Sequence, residues 1–354
     1  MRQKIRAPRL LSWPATVPKP LSAPPLTDAP SDGPAVIAWI EQNCMQGPGD
    51  SYGQPVRLLM FQKIFICQLY ERKSDGRRRY RRAYLQTAKG QGKTSLAAWI
   101  AAYQLAHQFS AEIPICASSY DQAELVFGDL RSTVAQSPTL SDLMTGFEGE
   151  VPVCESPSRA FKVPAVAGTA DGLRPTTAIF DEVHEFIGPN RERVHLVISN
   201  GLSKRVDSLA LKLSTPGCDL ETVAGRLHQH GLAVNAGEVV DDEFLFVWFG
   251  ADPAKFDLTD PDGLRAAIRA ASPAADAFCT WRMYWIRCED GSIQIISIGP
   301  HDHPPANNRV SNRSCGRRGG DYQRAGSSVL RTVSSAEIST PGHSTRDSLT
   351  QLGR

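Results

Sequence analysis

Between residues 83 and 106 the chain runs apolar, then glycine-containing, then strongly helix-forming, and that succession leaves few folds open. Ala83-Tyr84-Leu85 reads as a buried strand, and Leu96 to Ala106 as a helix. Between them lies Leu85-Gln86-Thr87-Ala88-Lys89-Gly90-Gln91-Gly92-Lys93-Thr94-Ser95. Strand, glycine turn and helix is the setting a phosphate-binding loop requires. Gly90 and Gly92 let backbone N–H groups approach phosphate oxygens, and the helix N-terminus adds partial positive charge. The spacing expects residues 87–95 to cradle ATP, with Lys93 reaching the β- and γ-phosphates and the Thr94 hydroxyl on Mg²⁺. Thr87 stands where the first glycine of the usual pattern falls.

A second segment completes this chemistry. Thr177-Ala-Ile-Phe-Asp181-Glu182-Val-His184-Glu185 is a short apolar run ending in adjacent carboxylates. Such a run reads as a strand covered on both faces, and acids past its carboxyl end lie where open α/β sheets hold ligands. Asp181 is expected to hold Mg²⁺ and Glu182 to polarise the attacking water. Alone, the pattern would read as a strand leaving into an acidic loop; the phosphate loop upstream gives it meaning. The runs Glu112–Ser119, Asp121–Ala135 and Leu209–Ser214 supply further alternating strands and a helix, so the expected fold is α/β, a mostly parallel sheet flanked by helices.

Composition sets the boundaries. The 354 residues suffice for one sizeable α/β domain and additional parts. A net charge of +2 gives no global attraction to nucleic acid or membrane, so any DNA site must be local. The basic run Arg72–Arg82 reads equally as such a site or as a solvated loop. The 8 cysteines are scattered without a C-x-x-C pair, as in a reduced cytoplasmic protein, and no apolar run approaches membrane-spanning length. Residues 1–34 are proline-rich and read as a disordered arm, 35–280 as the ATPase domain, and 281–354 as an irregular, disordered tail. The only strand candidate in that tail is Ser292–Ile298, and an out-of-frame end to a truncated gene would explain the loss of pattern. His228 and His230, and His301 and His303, alternate as strand metal ligands would, but no cysteine or carboxylate framework accompanies them. Phe246–Asp252 reads as the last strand of the ATPase region rather than the start of a nuclease.

The order of these segments resembles the large subunit of a tailed-phage terminase. Pro55-Val-Arg57-Leu58 followed by Phe61-Gln62-Lys63 is similar to the family's adenine-side segment, with Gln62 in the purine-reading place. Lys89 fits the basic residue common in the family's deviant phosphate loops. Cys116–Ala123, Gly168–Pro175, Asp181–Phe186 and Ser214-Thr215-Pro-Gly217 follow in the family's order. The resemblance implies a RecA-like P-loop ATPase of the ASCE type that powers packaging of double-stranded DNA. It also implies that Ser214 and Thr215 couple γ-phosphate loss to movement, and an arginine finger for which Arg174, Arg191, Arg193 and Arg205 are candidates. A small terminase subunit, a portal protein, a homo-oligomeric ring and the bacterial host cytoplasm are the expected partners and place, with the nuclease domain missing. A DExH helicase is the first alternative, although no second RecA-like motif set follows Gly217; a prophage remnant that only binds nucleotide is the other.

Overall fold

A computed structural model describes residues 12–163, 170, 172–217, 219–258, 260–275, 282–287, 293–298 and 331–333. The elements are α1 (Gly33–Asn43), α2 (Met60–Leu69), β1 (Arg82–Gln86), α3 (Lys93–His107), β2 (Glu112–Cys116), α4 (Tyr120–Gln136) and α5 (Pro138–Leu143). They continue with β3 (Glu150–Pro152), β4 (Arg159–Val163), β5 (Thr177–Phe180), α6 (Pro189–Gly201), β6 (Leu209–Ser214), α7 (Val223–Asn235), β7 (Phe244–Trp248) and α8 (Pro261–Ala271). Strands β8 (Arg282–Arg287), β9 (Ile293–Ile298) and β10 (Arg331–Val333) follow.

One sheet of seven strands, in the order β3-β4-β2-β5-β6-β1-β7, organises the first 250 residues or so, and every neighbouring pair is parallel except β3 with β4. Period-2 alternation sorts its side chains onto two faces. Ala83 and Leu85, Leu209, Leu211 and Leu213, and Leu245 and Val247 join a core with α1 to α5. Tyr84, Ala178, Phe180, Ala210, Phe244 and Phe246 join a second core with α6 and α7. Helices on both faces make the strands near-continuously apolar, as the sequence showed. β6 lies between the phosphate-loop strand β1 and the acidic strand β5, the ASCE arrangement.

Helix α7 departs from expectation: His228 and His230 lie on a helix, not on a strand. Two glycines inside it weaken its sequence signal, and packing explains both. A Cβ on Gly231 would meet the Phe246 ring at 2.2 Å, and one on Gly225 would meet Leu220 backbone at 2.4 Å. The helix therefore approaches β7 more closely than any larger residue permits. Its N-cap is Thr222, whose hydroxyl accepts from Gly225 N–H.

The N-terminal arm requires a correction. Over residues 12–32 it is an ordered strap, not a disordered segment: it lies against the β7 edge around residues 13–22 and against the end of α2 around residues 27–32, and residues 33–34 open α1; residues 1–11 lie outside the described residues. Leu21 and Ser22 N–H groups donate to Trp248 O at 2.8 and 3.2 Å, and Trp248 N–H donates back to Ser22 O at 2.7 Å. Trp13 meets Phe249 edge-on with centroids 5.7 Å apart. Prolines hold the strap extended at low entropic cost, and an unpaired edge offers it hydrogen bonds.

In the tail, the candidate strand at residues 292–298 appears as β9, and an unforeseen β8 pairs with it. With β10 they form a three-stranded antiparallel sheet in the order β10-β8-β9. Otherwise the expected disorder of 281–354 and the His301–His303 pair lie outside the described residues.

Candidate active site

The site gathers at the carboxyl ends of β1, β5 and β6. The loop after β1 turns through Gly90 at φ +78° and Gly92 at φ +73°, left-handed conformations that glycine adopts without strain. Gly92 is the N-cap of α3, whose first residue is Lys93. Lys93 is 5% exposed, and its ammonium folds back onto the loop, donating to Thr87 O at 3.3 Å and Ala88 O at 3.1 Å. Thr87 is anchored to the neighbouring strand by its N–H, which donates to Ser214 O at 3.2 Å.

The two sequence motifs meet at one contact: the Thr94 hydroxyl donates to Asp181 Oδ2 at 3.0 Å across 87 positions of sequence. Asp181 is 1% exposed, and its Oδ1 is buried without a hydrogen-bond partner. Burial and the adjacent Glu182 charge push its carboxyl up, against the pull of Lys93 and Thr94. A hard cation fits this donor set: an orphaned carboxylate oxygen beside a threonine hydroxyl.

Glu182 sits in the left-handed region at φ 48°, ψ 56°, a conformation costing a non-glycine residue of order 1–3 kcal/mol. Thr215 holds it there, its N–H and hydroxyl donating to Glu182 Oε2 at 3.1 and 3.0 Å. His184 Nδ1 lies 3.2 Å from the same oxygen, and His184 Nε2 lies 3.3 Å from Glu185 Oε1. Burial would raise the Glu182 carboxyl, but Lys93, His184 and Thr215 keep it well below the usual range. Burial alone would lower His184; its bonds to the two glutamates carry it up to about 9, so at neutral pH it is an imidazolium between two carboxylates.

Of the remaining loop residues, Gly90, Lys89 and Ala88 line the turn, and Ala88 packs against Leu264, Ile268 and Ala271 of α8. Two side chains turn away from the expected ligand. Ser95 donates its hydroxyl to Asp129 Oδ2 on α4 at 2.7 Å, because its position on α3 faces α4. Gln91 is 3% exposed, and its Oε1 accepts from Ala274 N–H at 2.8 Å. Gln62 is buried beside the loop: its Oε1 accepts from Leu59 N–H at 2.9 Å, and a Cβ on Gly92 would stand 3.3 Å from its Nε2.

The arginine-finger candidates do not converge here. Arg205 donates to Arg174 O and Ser110 O, Arg191 donates to Glu185 O at 3.4 Å, and Arg193 is exposed on α6. The basic loop at residues 72–82 spends its charge internally. Arg72 pairs with Asp32 and Asp207, Lys73 with Glu243, Arg79 with Glu71 and Arg82 with Asp241, all within 3.0 Å. Arg78 is buried over the Tyr70 ring. His228 Nδ1 lies 2.6 Å from Gln86 Oε1, and His230 Nε2 lies 2.8 Å from Asp241 Oδ2. Polar residues that the sequence reading passed over lie beneath the site: Tyr84 and Gln86 alternate on β1, and Lys212 and Ser214 on β6. Their signal was a polar residue every second position in an otherwise apolar strand.

Residues 60–230 match the family model "Terminase large subunit, ATPase domain". The large terminase subunit of Enterobacteria phage HK97 is 32% identical over 173 residues, which is 47% of this chain and 33% of that protein. The crystal structure of the HK97 bacteriophage large terminase superposes with a TM-score of 0.58 at 26% identity, covering 69% of this chain and 48% of that one. The chain thus spans no more than about half the length of either relative it matches. None of these likenesses supports the helicase or remnant alternatives. The stretch that carries the phosphate loop, the acidic strand and Thr215, residues 60–230, is thus similar to the ATPase domain of terminase large subunits.

Proposed function

We propose that the chain is the ATP-hydrolysing part of a motor that drives double-stranded DNA into a phage procapsid. The observation that carries this reading is the Thr94–Asp181 contact, with Asp181 Oδ1 left unpartnered beside it. In this reading the N–H groups of residues 87–95 and the Lys93 ammonium hold the triphosphate. Lys93 exchanges its bonds to Thr87 O and Ala88 O for phosphate oxygens. Thr94 and Asp181 would hold Mg²⁺, which supplies charge neutralisation at the phosphates. Glu182 accepts a hydrogen bond from the attacking water and aligns it for in-line displacement. Thr215 and the His184 imidazolium fix the pose of Glu182, so the carboxylate is oriented before substrate arrives. Gln62 contacts the nucleotide from the adenine side, and Ser214 and Thr215 respond to loss of the γ-phosphate.

The proposed partners are double-stranded DNA, a small terminase subunit and a portal protein, with the chain working as a homo-oligomeric ring in the host cytoplasm. The finger arginine would then come from a neighbouring copy, consistent with the scatter of Arg174, Arg191, Arg193 and Arg205 in one copy. No helix among the described residues is long and apolar enough to cross a membrane. Endonuclease chemistry forms no part of the proposal. The test is hydrolysis of ATP by the full chain, with Mg²⁺, across a titration of duplex DNA. The expected result is DNA-stimulated turnover without strand separation; duplex unwinding, or no turnover at any DNA concentration, would overturn the reading.

A further inference from the structure

Behind Glu182 a hydrogen-bonded chain runs away from the nucleotide side and into the core. Ser214 Oγ accepts from His184 N–H at 3.0 Å, stands 3.1 Å from His184 Nδ1 and donates to Thr215 O at 2.7 Å. It therefore touches both residues that hold Glu182 Oε2. From β1, paired with β6, the Tyr84 hydroxyl neighbours Ser214. That hydroxyl accepts from Gln86 Nε2 at 2.7 Å, and Gln86 Oε1 lies 2.6 Å from His228 Nδ1. Tyr84, Gln86 and Ser214 are at most 1% exposed, so water cannot stand in for a missing member. Breaking a hydrogen bond in it leaves a buried polar group unpaired, which is costly. The chain is consequently held as a unit.

Its polarity is set by the partners. With its amide nitrogen given to Tyr84, Gln86 presents only an acceptor to His228, so His228 Nδ1 must carry hydrogen. Burial keeps His228 below the ordinary histidine range, which leaves a neutral ring protonated at Nδ1 at pH 7. His228 is held edge-on by Trp248, with centroids 4.6 Å apart, and by Phe246 at 5.5 Å. The ring is fixed on α7 by aromatic packing and fixed to β1 by one hydrogen bond.

We propose that His228 is a positioning residue for ATP hydrolysis: acting through Gln86, Tyr84 and Ser214, it sets the pose of Glu182 and ties α7 to the catalytic carboxylate. The inference rests on the hydrolase reading of the site. A chain that only satisfied core polar groups would affect stability alone. The test uses the full chain and compares His228→Leu, Tyr84→Phe and His228→Asn, whose side-chain amide restores an N–H near the Nδ1 position. At temperatures where each variant is folded, His228→Leu and Tyr84→Phe should lower kcat about tenfold with KM unchanged, as misplacement of a water-aligning group does. His228→Asn should restore kcat to within about twofold of the parent, one hydrogen bond being remade. A parent-like kcat in His228→Leu, with only its Tm lowered, would overturn the proposal. If the parent itself fails to turn over, the hydrolase reading falls separately. In that case the chain is judged in nucleotide-free protein from the titration of His184, followed by NMR of ¹³C-labelled histidine. That titration is expected near 9 in the parent. It should fall by about one unit in Tyr84→Phe and His228→Leu, the equivalent of a tenfold weaker hold on the proton. An unmoved titration would refute the linkage.

Discussion

Lys212 offers a perturbation whose size and pH dependence both follow from its surroundings. Its side chain lies on the α6–α7 face of β6, 2% exposed, with the Phe180 ring 5.5 Å from its ammonium. Among the described residues no carboxylate pairs with it, and Arg82 adds repulsion. Burial first, and Arg82 second, pull its pKa from 10.5 to about 8. Each unit of such a gap is worth about 1.4 kcal/mol, so holding the charge costs the fold up to roughly 3 kcal/mol at pH 7. Methionine has nearly the same length and no charge to desolvate. Lys212→Met is therefore expected to stabilise the protein by about 1–3 kcal/mol, as replacing buried charges often does. For a domain of this size that is a Tm increase of roughly 3–10 °C.

The sign of the pH dependence is fixed by the lowered pKa. Below pH 8 the ammonium is charged folded and unfolded, and the full cost applies. Between 8 and 10.5 the folded chain sheds the proton first, so the parent gains stability and the advantage of the variant shrinks. Urea unfolding of both proteins at pH 7 and pH 9.5 measures this. A less stable Lys212→Met, or an advantage that does not shrink at the higher pH, would refute the reasoning.

Other perturbations test other parts of the structure. Gly231→Ala should destabilise by about 1–3 kcal/mol in thermal unfolding, despite the better helix propensity of alanine, because its Cβ would stand 2.2 Å from Phe246 Cγ. Arg82→Ala should cost under about 1 kcal/mol, Arg82 itself being about half exposed, and should leave the salt dependence of DNA binding unchanged; a slope reduced by about one would show that Arg82 contacts phosphate. Burial, with help from Lys212 and Arg226, lowers His195 to about 3, so the unfolded chain takes a proton that the folded chain refuses. Stability should fall by up to about 1.4 kcal/mol per pH unit below 6.5 from this group, and His195→Phe should flatten that acid limb in unfolding curves between pH 7 and 5.

The two halves of the site were legible in the sequence because each carries a local pattern. Glycines, Lys93 and Thr94 open a helix, and Asp181 and Glu182 close an apolar strand. The sheet was legible for the same reason, its buried strands being short apolar runs. What escaped detection depends on tertiary packing. Helix α7 was hidden by Gly225 and Gly231, which are demanded by neighbours far away in sequence. The strap at residues 12–32 has the composition of a disordered arm and is held by the β7 edge and the end of α2, which composition does not register. The hydrogen-bonded chain behind Glu182 links residues 84, 86, 184, 214 and 228, and only the parallel pairing of β1 with β6 brings them together. Ser95 and Gln91 belong to the phosphate-loop motif by position, yet their side chains serve α4 and the segment after α8.

The central claim is that Glu182 activates water while Lys93 and the loop hold ATP. Glu182→Gln keeps the shape and an acceptor for Thr215 while removing the negative charge. In the full chain its ATP turnover should fall by at least about 100-fold, in the range that loss of general-base assistance produces. Its affinity for a fluorescent ATP analogue, measured in the same preparation, should stay within about twofold of the parent, since no phosphate contact is assigned to Glu182. Turnover at the parental rate in Glu182→Gln would contradict the account.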